Sequence, residues 1–377
     1  MRIKEITYCD RELEWQFEPI QFSNLTLLVG VSGVGKTQIL QSIMAIRGIA
    51  NGRSLNGVKW NINFSTINNL EYRWQGEFET VKSPPLILMN EDDKPTNDDF
   101  RIISEQLSLN EEIIIDRDDN GIKFKGKLLP KLSPFESVVS ILSEEEDVAP
   151  VQNGFNKIIY SDQSSSVDAV HRLMYTSLTK KYLSIEKIQK SRLPTHIKLA
   201  LAYKNIPEVF EKIKRSFIEI FVQVEDLKIE PYENEDLPVV FADYPFVHIK
   251  EKDVNNWIAQ DRISSGMFRT LMHISELYLS PEGTVILIDE FENSLGVNCI
   301  DVVTELLLEN RNIQFIITSH HPYIINNIGM EYWKIVTRKG GVVTAKDAKE
   351  YNIGNSRHQS FMQLINLDAY KEGIQVG

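Results

Sequence analysis

The sequence predicts an α/β fold, with a parallel core sheet, a mixed and antiparallel N-terminal sheet, and a helical insertion. Three observations predict it. The last third carries an unbroken apolar run at residues 284–288 (TVILI) and a second apolar strand at 313–318 (IQFIIT), set between helical stretches. Such β-branched runs between helices read as parallel strands covered on both faces. The first third instead alternates in short, half-apolar strands. Residues 27–40 (LLVGVSGVGKTQIL) then set three glycines between an apolar strand and a helix.

In chain order, 1–8, 14–17 and 20–29 read as strands, the last running straight into the glycines. Residues 38–46 (QILQSIMAI) have the spacing of an amphipathic helix. Strands are expected at 58–64, 69–74 and 81–89, followed by a polar loop at 90–100 (NEDDKPTNDDF). Residues 112–116 and 121–127 form a hairpin, with Asn120-Gly121 as its turn signal. A short helix is expected at 135–142, and 167–221 is mostly helical. Strands follow at 227–230, 239–243 and 247–250. In the last third, helices at 266–279, 298–309 and 322–328 alternate with the two apolar strands, and strands at 332–337 and 341–345 close the sheet. The expected domains are 1–165 with 227–350, a helical insertion at 166–226, and a tail at 351–377. Phe361, Leu364, Ile365, Leu367 and Tyr370 give the tail an apolar face that caps the fold or docks a partner. No internal repeat or sustained heptad pattern occurs.

The 377 residues are 42% apolar and 25% charged, an ordinary globular balance. No run of about 18 apolar residues is present, so no membrane-spanning helix is expected. The charged start MRIKEITYCDRELEW does not read as a secretory leader. Cys9 and Cys299 are too few and too far apart for a disulfide framework or a cysteine metal cluster, so a cytoplasmic home is expected. The net charge of −12 argues against a surface that grips nucleic acid everywhere. A local exception lies at 171–204. There Arg172, Lys180, Lys181, Lys187, Lys190, Arg192, Lys198 and Lys204 face a single acid, Glu186. This stretch is either a solvated helical surface or a contact for nucleic acid or a partner.

Gly30, Gly35, Lys36 and Thr37 fit G-x-x-x-x-G-K-[ST], the phosphate-binding loop. Glycine backbone can curl so that successive N–H groups face one anion, and the following helix adds the positive end of its dipole. Gly30, Ser32, Gly33, Val34, Gly35, Lys36, Thr37 and Gln38 would thus cradle the phosphates of a nucleotide. Lys36 would reach the β- and γ-phosphates, and the Thr37 hydroxyl would ligate Mg²⁺. The run TVILIDE delivers Asp289 to a strand end to hold Mg²⁺, with Glu290 placed to orient or deprotonate the attacking water. The run ITSHHP brings His320 to the same sheet edge, to bond the γ-phosphate or the water, while His321 faces elsewhere. In ISSGMFRTL, Ser264, Ser265 and Gly266 open a helix, as a plain N-cap or as an anion site.

The order of these motifs is phosphate loop, long gap, S-S-G helix start, strand ending Asp-Glu, strand ending in His. In that order the chain resembles the ABC-type ATPase heads, P-loop NTPases of the AAA group that includes the OLD (overcoming lysogenization defect) proteins, RecF and the SMC heads. The resemblance covers most of 1–345 and includes IDEFENSL at 288–295. It implies that Ser264, Ser265 and Gly266 touch ATP held by a second subunit, so that ATP joins chains into a homodimer or larger assembly. It also implies that 292–295 form a loop passing between the two sites. Three departures stand out. Met267 sits where glutamine is common, Gly296 sits where a larger residue is frequent, and the glutamine that links the early sheet to Mg²⁺ has only Gln75 and Gln106 as candidates. These imply slow hydrolysis with ATP binding kept.

Three roles fit. The first is an ATPase in bacterial anti-phage defence that controls a separate effector, a nuclease or toxin. The stretch after His320 is too short for the nuclease domain many OLD relatives carry. The second is a DNA-repair or chromosome-maintenance ATPase of the RecF/SMC type, binding DNA through the basic stretch. The third, a transporter subunit, fits poorly, because the span from Thr37 to Ser264 is long.

Overall fold

The computed structural model describes every residue except 82–98, 162–174, 192, 232–243, 295–304, 306–311, 354–356 and 375–377. The strand expected at 81–89, the loop at 90–100, the strand at 239–243 and the helix at 298–309 fall wholly or largely outside the described residues, as do Arg172, Arg192, Leu295, Gly296 and Cys299. The chain divides into two compact units. The first comprises Met1–Tyr160, Gly283–Asp289 and Asn312–Gly377; the second comprises Ser161–Glu282 and Glu290–Arg311. The units cut the chain differently from the expected domains. The tail belongs to the first unit, and residues 227–282 go with the helical insertion.

The strands are β1 Arg2–Asp10, β2 Trp15–Phe17, β3 Ile20–Gln21, β4 Leu25–Val29, β5 Val58–Ser65, β6 Glu71–Phe78, β7 Ile102–Leu109, β8 Glu112–Asp118, β9 Gly121–Phe124, β10 Lys127–Leu128 and β11 Ile158–Tyr160. They continue as β12 Val224–Pro231, β13 Pro245–Glu251, β14 Ile258–Ala259, β15 Val285–Ile288, β16 Gln314–Thr318, β17 Trp333–Lys339 and β18 Val342–Asp347.

The first unit is built on one sheet of fifteen described strands, in the order β10-β9-β8-β7-β6-β5-β1-β2-β18-β17-β4-β16-β15-β11, with β3 pairing β1. Its two halves follow different rules. From β10 to β1 every pairing is antiparallel, and inward apolar residues alternate with outward polar ones, as in β5 and β6. From β17 to β11 the strands run parallel. In β4, β15 and β16 every residue is buried, as a sheet covered on both faces requires. The Lys36–Ala50 helix adds Ile39, Leu40, Ile43, Ile46 and Ile49 to the same apolar core as Trp60, Trp74 and Phe155.

Three strands lie outside the expectation, the two-residue β14 and two in the first unit. β7 pairs β6 and β8, and its buried Glu105 interrupts the apolar pattern by which a strand is recognised. β11 has only three residues, too few for any period, yet it pairs β15 in parallel. The helix expected at 135–142 is confined to Val138–Ile141, where the Ser137 hydroxyl caps it by accepting from Val139 N.

The second unit gathers the helices Tyr175–Lys181, Ile185–Lys190, Thr195–Asn205, Pro207–Ile220 and Ser265–Leu279 with the antiparallel sheet β12-β13-β14. Phe210, Ile213, Phe217 and Ile220 give the Pro207–Ile220 helix its buried stripe.

Candidate nucleotide-binding site

In the first unit, β4 enters the glycine loop between β16 and β17. Its buried, largely apolar run fixes where the loop emerges. At Gly30 the backbone passes so close to β17 that an added Cβ would lie 2.7 Å from the Val336 carbonyl oxygen. At Gly35 the backbone is left-handed (φ 105°), and a Cβ would lie 3.0 Å from a Val343 methyl. The loop thus needs glycine at the two positions the motif fixes. Ser32 and Gly33 are exposed, Val34 is buried, and Thr37 and Gln38 are half-buried. The following helix starts at Lys36 with no side-chain cap on its first turn. The Lys36 ammonium is buried and donates to the carbonyls of Gly30 (2.7 Å) and Val31 (2.9 Å).

Asp289 follows β15, and one strand, β16, separates it from β4. Register aligns Ile288 with Ile317, and Thr318 with Leu28, so Asp289, Thr318 and the start of the loop sit at the same edge of the sheet. The Thr318 hydroxyl donates to Asp289 Oδ1 at 2.5 Å. The Tyr160 hydroxyl, from β11, donates to Asp289 Oδ2 at 3.2 Å. His320 lies two residues past Thr318 and is exposed; Ser319 N between them donates to the Leu28 carbonyl at 3.3 Å. His321 instead caps the Pro322–Asn327 helix, its Nδ1 accepting from Tyr323 N at 3.2 Å. The loop, Asp289 and His320 therefore share one rim. Neither Tyr160 nor Thr318 was singled out by sequence. Thr318 was visible inside ITSHHP, whereas nothing in the sequence marks Tyr160.

The donors present suit a magnesium nucleotide. A curled backbone around a buried ammonium is an anion cradle. One hydroxyl, Thr37, and one carboxylate, Asp289, form the sparse oxygen set that Mg²⁺ uses when phosphates supply further ligands. Among the described residues, no group of three or more His, Cys, Asp or Glu side chains could hold a metal by itself.

Glu290 opens the next segment, in the second unit, exposed and in left-handed backbone (φ 45°). Ser264, Ser265 and Gly266 also lie in the second unit. Ser264 is the N-cap of Ser265–Leu279, its hydroxyl accepting from Met267 N at 3.2 Å, and both serines are exposed. Farther along that helix, Glu276 accepts from Ser161 (2.8 Å) and Thr195 (3.3 Å) in the unit's interior. Gln75 and Gln106 stand on the antiparallel sheet of the first unit, bonded to each other at 3.1 Å.

The basic stretch is corrected at one position. Lys180, Lys181, Lys187, Lys190 and Lys204 are exposed, but Lys198 is buried and donates to the Gln189 carbonyl at 3.1 Å. Burial brings its ammonium down to about 8, against the opposing pull of Glu276.

The family described as "AAA domain, putative AbiEii toxin, Type IV TA system" matches residues 25–326, a span that holds the loop, Asp289 and His320. The chain belongs to this AAA domain family. Its ATPase fold has solved neighbours among SMC heads. An SMC head bound to the C-winged helix domain of ScpA matches this AAA domain at a TM-score of 0.52 and 14% identity, over 92% of this chain and 97% of that one. The SMC head domain from Thermotoga maritima gives 0.45 and 15%, over 92% and 99%. An SMC head with an extended coiled coil, bound to the C-terminal domain of ScpA derived from Pyrococcus furiosus, gives 0.46 and 14%, over 93% and 98%. At 14% identity the likeness to the first of these is one of fold. No curated protein matches the AAA domain in sequence. No helix among the described residues is long and apolar enough to cross a membrane.

Proposed function

We propose that this AAA domain binds ATP with Mg²⁺ at the rim of its large sheet, hydrolyses it, and uses the cycle to control a separate effector protein in bacterial defence against phage. The observation that carries the ATPase reading is the shared edge of the Lys36 loop and Asp289, with β16 between their strands. Gly30, Ser32, Gly33, Val34, Gly35 and Gln38 shape the phosphate cradle, and Lys36 exchanges its two carbonyl partners for phosphate oxygens. Thr37 and Asp289 hold the cation, which would neutralise charge on the phosphate oxygens. Glu290 takes the proton of the attacking water, and His320 orients it or the terminal phosphate.

Ser264, Ser265 and Gly266 form a second half-site for ATP held by another copy, so that occupied sites join heads into dimers or larger assemblies. The exposure of the two serines and the N-cap geometry support that use. A family description that names a toxin–antitoxin system supports a chain that works with a partner. A neighbour of the same fold, the SMC head bound to the C-winged helix domain of ScpA, agrees with heads as docking platforms.

The test is the mass of purified protein in saturating Mg-ATP, with Glu290→Gln to stall turnover. Assemblies formed by the variant and lost on ATP removal support the reading, and a monomer throughout contradicts the sandwich. A second reading, direct DNA binding, is favoured by the exposed lysines 180, 181, 187, 190 and 204. It requires DNA affinity that falls steeply with salt and is lost in Lys187→Glu/Lys190→Glu.

A further inference from the structure

Three adjacent strands, β11, β15 and β16, end together around Asp289. We infer that Tyr160 and Thr318 are positioning residues that preset the Asp289 carboxylate for its cation. The inference rests on the ATPase reading above and adds to it the two side chains through which the carboxylate is aimed.

The size of each donor matches its rung. Register puts Thr318 one residue past Ile317, the partner of Ile288, and therefore level with Asp289. There a short hydroxyl suffices, and it reaches Oδ1 at 2.5 Å. Tyr160 is level with Leu287, two residues behind Asp289. Two rungs are about 7 Å, a reach that a phenol spans and a serine does not, and the phenol hydroxyl meets Oδ2 at 3.2 Å. The donors come from opposite sides, one from each neighbouring strand. The terminal torsion of an aspartate is broad when nothing restrains it, and a donor on each oxygen leaves one orientation. An ionised carboxylate offers about four acceptor positions, so both donors can stay while the remaining lone pairs face a cation. Thr318 is fully buried, and its hydroxyl has a fixed place from which to act. Outer-shell partners of this kind are worth about 10–100-fold in metal affinity.

The experiment is a Mn²⁺ titration followed by electron paramagnetic resonance, with a non-hydrolysable ATP analogue bound. Wild type, Tyr160→Phe, Thr318→Val and Thr318→Ser are compared, alongside analogue affinity in EDTA and the melting temperature without metal. Tyr160→Phe and Thr318→Val should each weaken Mn²⁺ binding about tenfold, while metal-free analogue affinity stays within twofold and Thr318→Ser binds Mn²⁺ like wild type. If Thr318→Val does not fold, Tyr160→Phe, a change on a half-buried side chain, carries the test. Wild-type Mn²⁺ affinity in folded variants overturns the positioning role and leaves the ATPase reading standing. A wild-type protein that binds no analogue overturns both.

Discussion

The Lys36 ammonium donates to the Gly30 carbonyl at 2.7 Å, closing the loop that lies between β4 and its helix. The bond sets the loop's curvature from within the chain. A buried ammonium needs partners, and two backbone carbonyls supply them; phosphate oxygens would compete for the same three donors.

Gly35→Ala tests how far the loop depends on backbone alone. Its φ of 105° and a Cβ 3.0 Å from Val343 and Gln38 leave no relaxed place for a methyl. A cost of about 1–3 kcal/mol is expected in urea denaturation, together with loss of ATP affinity in a fluorescence titration. Wild-type stability and affinity would show that the loop is held by something other than this turn.

Glu105→Ala should cost about 3–5 kcal/mol by the same denaturation. The fully buried carboxylate accepts from Ser137 Oγ (2.5 Å), Trp74 Nε1 and Val138 N (both 2.9 Å), with Arg117 at 3.5 Å. Its removal takes the carboxylate partner from the buried Arg117 guanidinium, which keeps only the Glu136 and Ser133 carbonyls, both at 2.8 Å. Burial pushes the carboxyl above the usual range, and the donors oppose that rise. A loss under about 1 kcal/mol would mean that water replaces the network.

Gly373→Val tests the tail. Gly373 is left-handed (φ 65°), and a Cβ would lie 2.6 Å from a Val34 methyl and 2.8 Å from a Val31 methyl of the loop. Its carbonyl accepts from Arg338 N at 2.7 Å. The variant should release this segment, seen as faster amide exchange across 368–373 with the sheet core unchanged. Unchanged exchange would show that the tail is held elsewhere, through Leu364 and Ala369.

These networks show where the sequence was legible. β4, β15 and β16 stood out because strands covered on both faces are apolar along most of their length, the few polar residues among them, such as Gln314, finding hydrogen-bond partners inside. β7 was hidden by Glu105, whose partners Trp74, Arg117, Ser137 and Val138 come from elsewhere in the chain and meet it only in the fold. β11 was hidden by its length, and with it Tyr160, the one contact to Asp289 that no motif marks. Lys198 counted as surface charge in the sequence because composition is blind to direction, and Ile197 to Ala202 are all buried around it.

Lys198 also carries a pH dependence. Its folded value of about 8 lies below the usual 10.5, so between those values the unfolded chain binds more protons. Wild-type stability should therefore rise from pH 8 towards pH 10 relative to Lys198→Met, by about 1–3 kcal/mol. Urea midpoints at pH 7.5, 9 and 10 check it. Parallel curves for the two proteins would place the ammonium in water.

The most direct measurement is calorimetric titration of Mg-ATP into wild type and Lys36→Ala. Saturable binding by wild type, weakened about 100-fold in the variant, about 2.8 kcal/mol, is the expected result. Equal affinity in the two proteins, or no binding by wild type, would contradict a triphosphate held at this rim.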